Sequence, residues 1–177
     1  MKLKDAILRS VYLLGMEEEV DLAVDGLKRN RLIDCGNSVY AEIAGQYVHL
    51  KTVEPIEFSD GRAYYTDFGF PVREILSVKD NRGEVPFEMT PTYVAAKTAG
   101  TVEVRYVYHP LPAGLEDDLL LPPQYTEHIV AQGIAAEYCY RTGLVDEAIF
   151  YQARFESAVT NIARRIRPAN LPARKLL

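Results

Sequence analysis

The sequence predicts an α+β protein. N-terminal helices and a C-terminal antiparallel helical hairpin form a bundle, with a small antiparallel β barrel or sandwich inserted between them. Three observations lead there. Apolar residues recur at helical spacing before residue 50 and after residue 123, and they alternate in short runs between 51 and 109. Prolines at 110, 112, 122 and 123 then separate the last strand from the hairpin. The organisation that follows is 1–50 for the N-terminal helices, 51–109 for the β module, and 110–122 for a proline-rich acidic linker. Residues 123–166 form the hairpin that packs on the N-terminal helices, and 167–177 form a basic tail.

Leu3, Ile7, Val11 and Leu14 make a one-faced first helix that Gly15 ends. EEEVDLAVDGLKRN predicts a second helix over 17–30, with acids in its first turn and Lys28 and Arg29 in its last, as the macrodipole favours. A third is expected from Arg31 to about His49, burying Ile33, Val39, Tyr40, Ile43 and Tyr47. Gly36 and Gly45 each weaken it by roughly 1 kcal/mol against alanine, which leaves a break near Cys35–Gly36 open.

From Lys51 the period becomes two. KTVEPIEF, RAYYTDF, VREILSVKD, VPFEM, TYVAAK and TVEVRYVYH are rich in β-branched and aromatic residues. They are separated by Ser59-Asp60-Gly61, Asp80-Asn81-Arg82-Gly83 and Ala99-Gly100. In the last strand Val102, Val104, Tyr106 and Tyr108 share one face. The fourth helix is expected from about Pro123, whose missing N–H costs nothing in a first turn, to Arg141, stopping at Thr142-Gly143. The fifth runs from about Leu144 to Ile166 with Ala148, Phe155, Val159, Ile162 and Ile166 in phase. One such hairpin resembles a tetratricopeptide unit, but a solenoid needs several stacked copies.

A length of 177 residues, 48% hydrophobic and 25% charged, suits one compact domain or one core with a peripheral module. The formal charge of −5 argues against a general nucleic-acid binder. Asp5 and Arg9 interrupt any leader-like apolar run, and no run reaches the ~20 residues of a membrane helix, so a soluble intracellular protein is expected.

No catalytic or metal-ligating set emerges, and no cofactor is implied. His49, His109 and His128 lack helical pair spacing, Cys35 and Cys139 lack metal-ligand spacing, and neither a phosphate-cradling glycine loop nor a Gly-x-Ser-x-Gly elbow occurs. Glu116, Asp117 and Asp118 mimic a metal-binding cluster but read rather as solvated loop charges, with Asp118 or its neighbours helping to position the linker. Twelve tyrosines with no tryptophan supply either packing for a small β module or interface anchors. The one electrostatic feature that stands out is the end of the chain, where no acid follows Glu156. Arg164, Arg165, Arg167, Leu171, Arg174, Lys175 and Leu176 are therefore the candidate partner-binding residues.

The segments REILSVKDNRGEVPF, TVEVRYVYHPLP, LEDDLLLPPQYTEHIV and AAEYCYRTGLVDEAIFYQARFESAV, in that order, resemble the head–tail connector (adaptor) proteins of tailed bacteriophages. The resemblance covers about Val72 to Arg165, and the N-terminal helices only by type. It implies a non-enzymatic virion neck protein, made in the host cytoplasm. Such a subunit binds the portal ring and receives the tail or a stopper. It self-associates into a ring, usually twelve-fold, and is compatible with a monomer in isolation. Neither a membrane nor a specific nucleic-acid sequence is an expected partner. A tail-completion or baseplate-proximal protein is the neighbouring reading, and a small ligand-binding or enzymatic α+β domain is the reading from a different class.

Overall fold

The computed structural model describes residues 1–24 and 26–166, the side chains of Arg165 and Ile166 excepted. Helix α1 (Leu3–Leu13) buries Leu3, Ala6, Ile7, Ser10 and Val11, the predicted face, and Gly15 follows it with φ +64°. The helix expected over 17–30 does not form. Turns occupy that stretch, and α2 starts at Leu27 and runs to Glu42. The Asp21 carboxylate accepts the Ala23 N–H at 2.8 Å, a local bond that competes with helix, while Leu22 is pulled into the core. The charges read as helix ends serve a different purpose: Lys28 pairs with Glu19 across the loop.

Helix α2 passes unbroken through Cys35–Gly36. Its buried side is Leu32, Cys35, Gly36, Val39 and Tyr40, so Ile33, expected inside, lies off-phase and half-buried. Gly36 packs against the Leu3 side chain of α1, since a Cβ there would stand 2.6 Å from Leu3 Cδ1. The helix ends in a π-turn, Ile43–Tyr47, in which Val48 N–H donates to the Ile43 carbonyl at 2.9 Å.

The β module has strands β1 (Lys51–Phe58), β2 (Arg62–Tyr64), β3 (Val72–Asp80), β4 (Gly83–Glu84), β5 (Phe87–Met89), β6 (Tyr93–Ala96) and β7 (Gly100–Tyr108). They form two open antiparallel sheets, ordered β1-β7-β3-β4 and β2-β6-β5, rather than a closed barrel. Asp60 and Gly61, at φ +51° and +74°, turn β1 into β2 as a two-residue hairpin demands. β2 stops short of its expected length because Tyr65–Asp67 coil into a 3-10 turn, with the Asp67 carboxylate taking the Tyr64 N–H. Val102, Val104, Tyr106 and Tyr108 of β7 are all buried, as the alternation predicts. The edges of the larger sheet are poor templates for further pairing: β1 carries Pro55, which has no N–H to offer, and β4 is only two residues long.

Helix α3 (Glu127–Thr142) starts four residues later than Pro123, because Pro122–Tyr125 close a turn of their own, with Tyr125 N–H on the Pro122 carbonyl. Gly143, at φ +83°, ends it, and α4 (Val145–Ile166) returns along it. Ala148, Phe155 and Val159 of α4 are fully buried. A Cβ on Gly133 of α3 would stand 2.7 Å from Val39 Cγ1 and 3.1 Å from the Phe155 ring.

Two substitutions follow. At Gly36 only the tip of a leucine must yield, and alanine's helix preference of about 1 kcal/mol offsets the crowding. At Gly133 a stiff valine and a buried ring both resist, so Gly133→Ala is expected to cost about 1–3 kcal/mol and Gly36→Ala clearly less. Denaturant midpoints of the two variants check the order.

Candidate functional site

The proline-rich linker is a strap bound along its length to the N-terminal helices. Helix α1 begins after Lys2, whose side chain makes no cap, so its first N–H groups need acceptors from elsewhere. The strap supplies them: Leu3 N–H donates to the Asp117 carbonyl at 3.1 Å and Lys4 N–H to the Leu115 carbonyl at 3.0 Å. Leu119 N–H returns a bond to the Met1 carbonyl at 2.8 Å.

The three acids lie in this contact. Glu116 bridges Lys2 and Lys4, which hold its carboxyl below the usual range. Asp118 meets the Met1 ammonium, and Asp117 accepts the Gly114 N–H. A second latch comes from α2. Asn37 accepts the Ala113 N–H at 2.7 Å and donates to the Ala113 carbonyl at 3.0 Å, and the Tyr40 hydroxyl accepts the Leu120 N–H at 3.1 Å. Sequence reading missed Asn37 and Tyr40 as strap contacts, since nothing local marks a partner some eighty residues away.

Of the predicted partner-binding residues, Arg164 is exposed on the last turns of α4. Arg165 belongs to the same helix with its side chain outside the description, and Arg167, Leu171, Arg174, Lys175 and Leu176 lie outside the described residues. The other end of α4 carries a surface that sequence reading overlooked. Leu144, Val145, Ile149 and Phe150 are each about half exposed, and Arg154 stacks over the Phe150 ring at 5.3 Å. An open groove of about 700 Å³ runs beside it between α3 and α4, with His128, Ile129 and Ser157 on its walls. The signal was present in the sequence: one turn of α4 offers apolar residues on two faces, and the core takes only that of Ala148.

Among the described residues no group of His, Cys, Asp and Glu is placed to hold a metal ion, and no helix is long and apolar enough to cross a membrane. His128 pairs with Gln132 at 3.0 Å. Cys35 and Cys139 are separate buried thiols. Burial pushes Cys35 up to about 11, with Arg141 opposing, and Cys139 is raised by burial as well.

The tyrosines divide by environment. Tyr106 is fully buried, donates to the Glu54 carboxylate at 2.7 Å and accepts the Phe70 N–H. Burial and that carboxylate raise its hydroxyl well above the ordinary range. Tyr12, Tyr64 and Tyr140 stand in solvent. Carboxylates from α2, α3 and α4 converge around Glu42, whose proton is held more tightly by burial and by the charges of Glu156 and Glu137.

Asn37→Ala leaves both polar groups of Ala113 without their partners. A loss of about 1–3 kcal/mol and at least tenfold faster hydrogen exchange at the Ala113 amide are expected. For Glu42, the folded state holds a proton that the unfolded chain has released. Stability contributed by the protonated form is thus present below the ordinary glutamate range and is lost as pH rises through the raised folded value. Glu42→Gln is expected to raise the melting temperature at pH 7 by about 1–3 °C and to flatten its decline above pH 5, read by thermal melts across pH. No model of a known protein family matches the chain, and no characterised protein matches it in sequence.

Proposed function

We propose that this chain is a non-enzymatic structural subunit of a tailed-phage virion: a head–tail connector that binds the portal ring and receives the tail or a stopper. What carries the reading is the arrangement of the segments that resemble connectors. The Val72–Asp80 hairpin strand, the last strand β7, the strap and the α3–α4 hairpin follow one another, and the strap that leads from β7 is clamped to α1 and α2. A part that transmits position between two larger assemblies needs that stiffness more than it needs a pocket.

The uncovered apolar edge of α4 supports the same reading, because a contiguous exposed patch of this kind marks a protein contact. Pro55 in edge strand β1 and the two-residue edge strand β4 favour contact through side chains and helices over sheet addition. In this proposal the subunit forms a ring in the virion neck, twelve-fold by the family's habit, after assembly from copies made in the host cytoplasm. The basic residues from Arg164 onward contact portal or an adjacent subunit.

Removal of residues 170–177 tests it. Circular dichroism and the melting temperature of the shortened chain are expected to match the full chain, while mixtures with the portal protein lose the seated ring in negative-stain micrographs. Rings that form undiminished overturn the role given to the tail. A full-length chain that never seats on portal overturns the connector reading itself.

A further inference from the structure

Charge in this chain is divided by position. All 25 acids precede residue 157, together with 15 of the 20 Lys and Arg, a formal −10 against +5 for the remainder. The acids are densest at Glu17, Glu18, Glu19 and Asp21, in the stretch that turns instead of coiling, and all four are exposed. That stretch, the outer face of α1 and the strap enclose an open groove of about 780 Å³. Leu8, Val20, Leu22 and Leu115 line it with Asp21, Glu116 and Asp117, and the cations Lys4, paired with Glu116, and Arg29 stand among them. Leu8 is half exposed, and Val24 and Leu27 nearby are 61% and 77% exposed, so apolar surface and negative charge share one place.

We propose that this groove receives residues 167–177, RPANLPARKLL, of a second copy of the chain. The match is in chemistry on both sides. The segment has three cations, no acid and leucines at 171, 176 and 177, and the groove offers apolar walls, more acids than cations along its lining, and the exposed Glu17, Glu18 and Glu19 beside it. Burying the leucines supplies attraction, and the charges orient the encounter and set register. Pro168 and Pro172 limit the freedom the segment surrenders on docking.

A second copy is the occupant because the assembly reading above needs a contact between copies, and the groove opens on the Lys4–Leu8 face of α1, away from the Leu3, Ile7 and Val11 face that the core covers. Tail into groove is a heterologous contact, the type that repeats into a ring when its rotation closes. The contact rests on the assembly reading above and gives it an interface.

Single cysteines in otherwise full-length chains test it: Ala23→Cys on the groove wall of one and Asn170→Cys in the tail of the other. The native thiols are buried, so a short bismaleimide reaches only the new ones. Mixing the two variants at low salt is expected to give covalent dimer at least fivefold above a mixture of Lys97→Cys with Asn170→Cys. The yield is expected to fall at least threefold in 0.5 M salt, or when the groove partner also carries Glu17→Lys and Glu18→Lys. Dimer no greater than the Lys97 control overturns the proposal. So does an intramolecular crosslink in dilute Ala23→Cys/Asn170→Cys chains in place of the intermolecular one, which puts the tail in its own groove. Rings seated on portal without this crosslink overturn the groove contact and leave the connector reading intact, whereas the crosslink without any portal ring does the reverse.

Discussion

The structure depends on how the first turn of α1 is capped. A helix start leaves several backbone N–H groups without internal partners, and Lys2 has no side-chain oxygen to offer them. The carbonyls of Leu115 and Asp117 fill the need from the far side of the β module. That one requirement brings the strap onto α1. Asn37 and Tyr40 then hold it against α2, and Glu116 settles between two lysines that are exposed on the same surface. The ion pairs themselves are solvent-exposed and add little; the backbone bonds and the Asn37 pair fix the geometry.

How far the sequence could be read depended on whether the deciding interaction was local. β1 and β3 matched their expected limits because their ends are set by turn residues within the strand's own neighbourhood, Asp60-Gly61 and Asp80 with Gly83. The hairpin was legible from Gly143 and from the spacing of Ala148, Phe155 and Val159. The helix expected at 17–30 was not, because its charge order suited a macrodipole while Leu22 was needed in the core and Asp21 bonded its own neighbour. Gly36 argued for a break, yet the helix runs through it and the tip of Leu3 occupies the space beside its missing Cβ. The acids at 116–118 were read correctly as linker-positioning groups, yet their partners Lys2 and Lys4 lie more than a hundred residues away and no periodicity points to them.

Stiffness and contact are assigned to different parts of this molecule. Glycines at 36 and 133 let helices close up, and Tyr106 with Glu54 ties β1 and β7 to the 65–72 loop. The outward features are concentrated instead on the α4 edge around Phe150 and on the acidic turn beside α1. In the proposed assembly, a stiff interior with contact surfaces at separate places would let two neighbours be engaged at once without either binding event distorting the other.

The long-range cap on α1 also has a consequence in time. The carbonyls that complete the helix are about 114 residues later in the chain than the N–H groups they receive. At ~5–20 residues per second, a ribosome makes α1 roughly 6–23 s before it makes the strap. Through that interval the apolar face of α1 has neither its cap nor α3 to cover it, so the emerging chain presents Leu3, Ile7 and Val11 to whatever attends nascent proteins. Biogenesis, more than the finished fold, is where this topology makes the protein vulnerable.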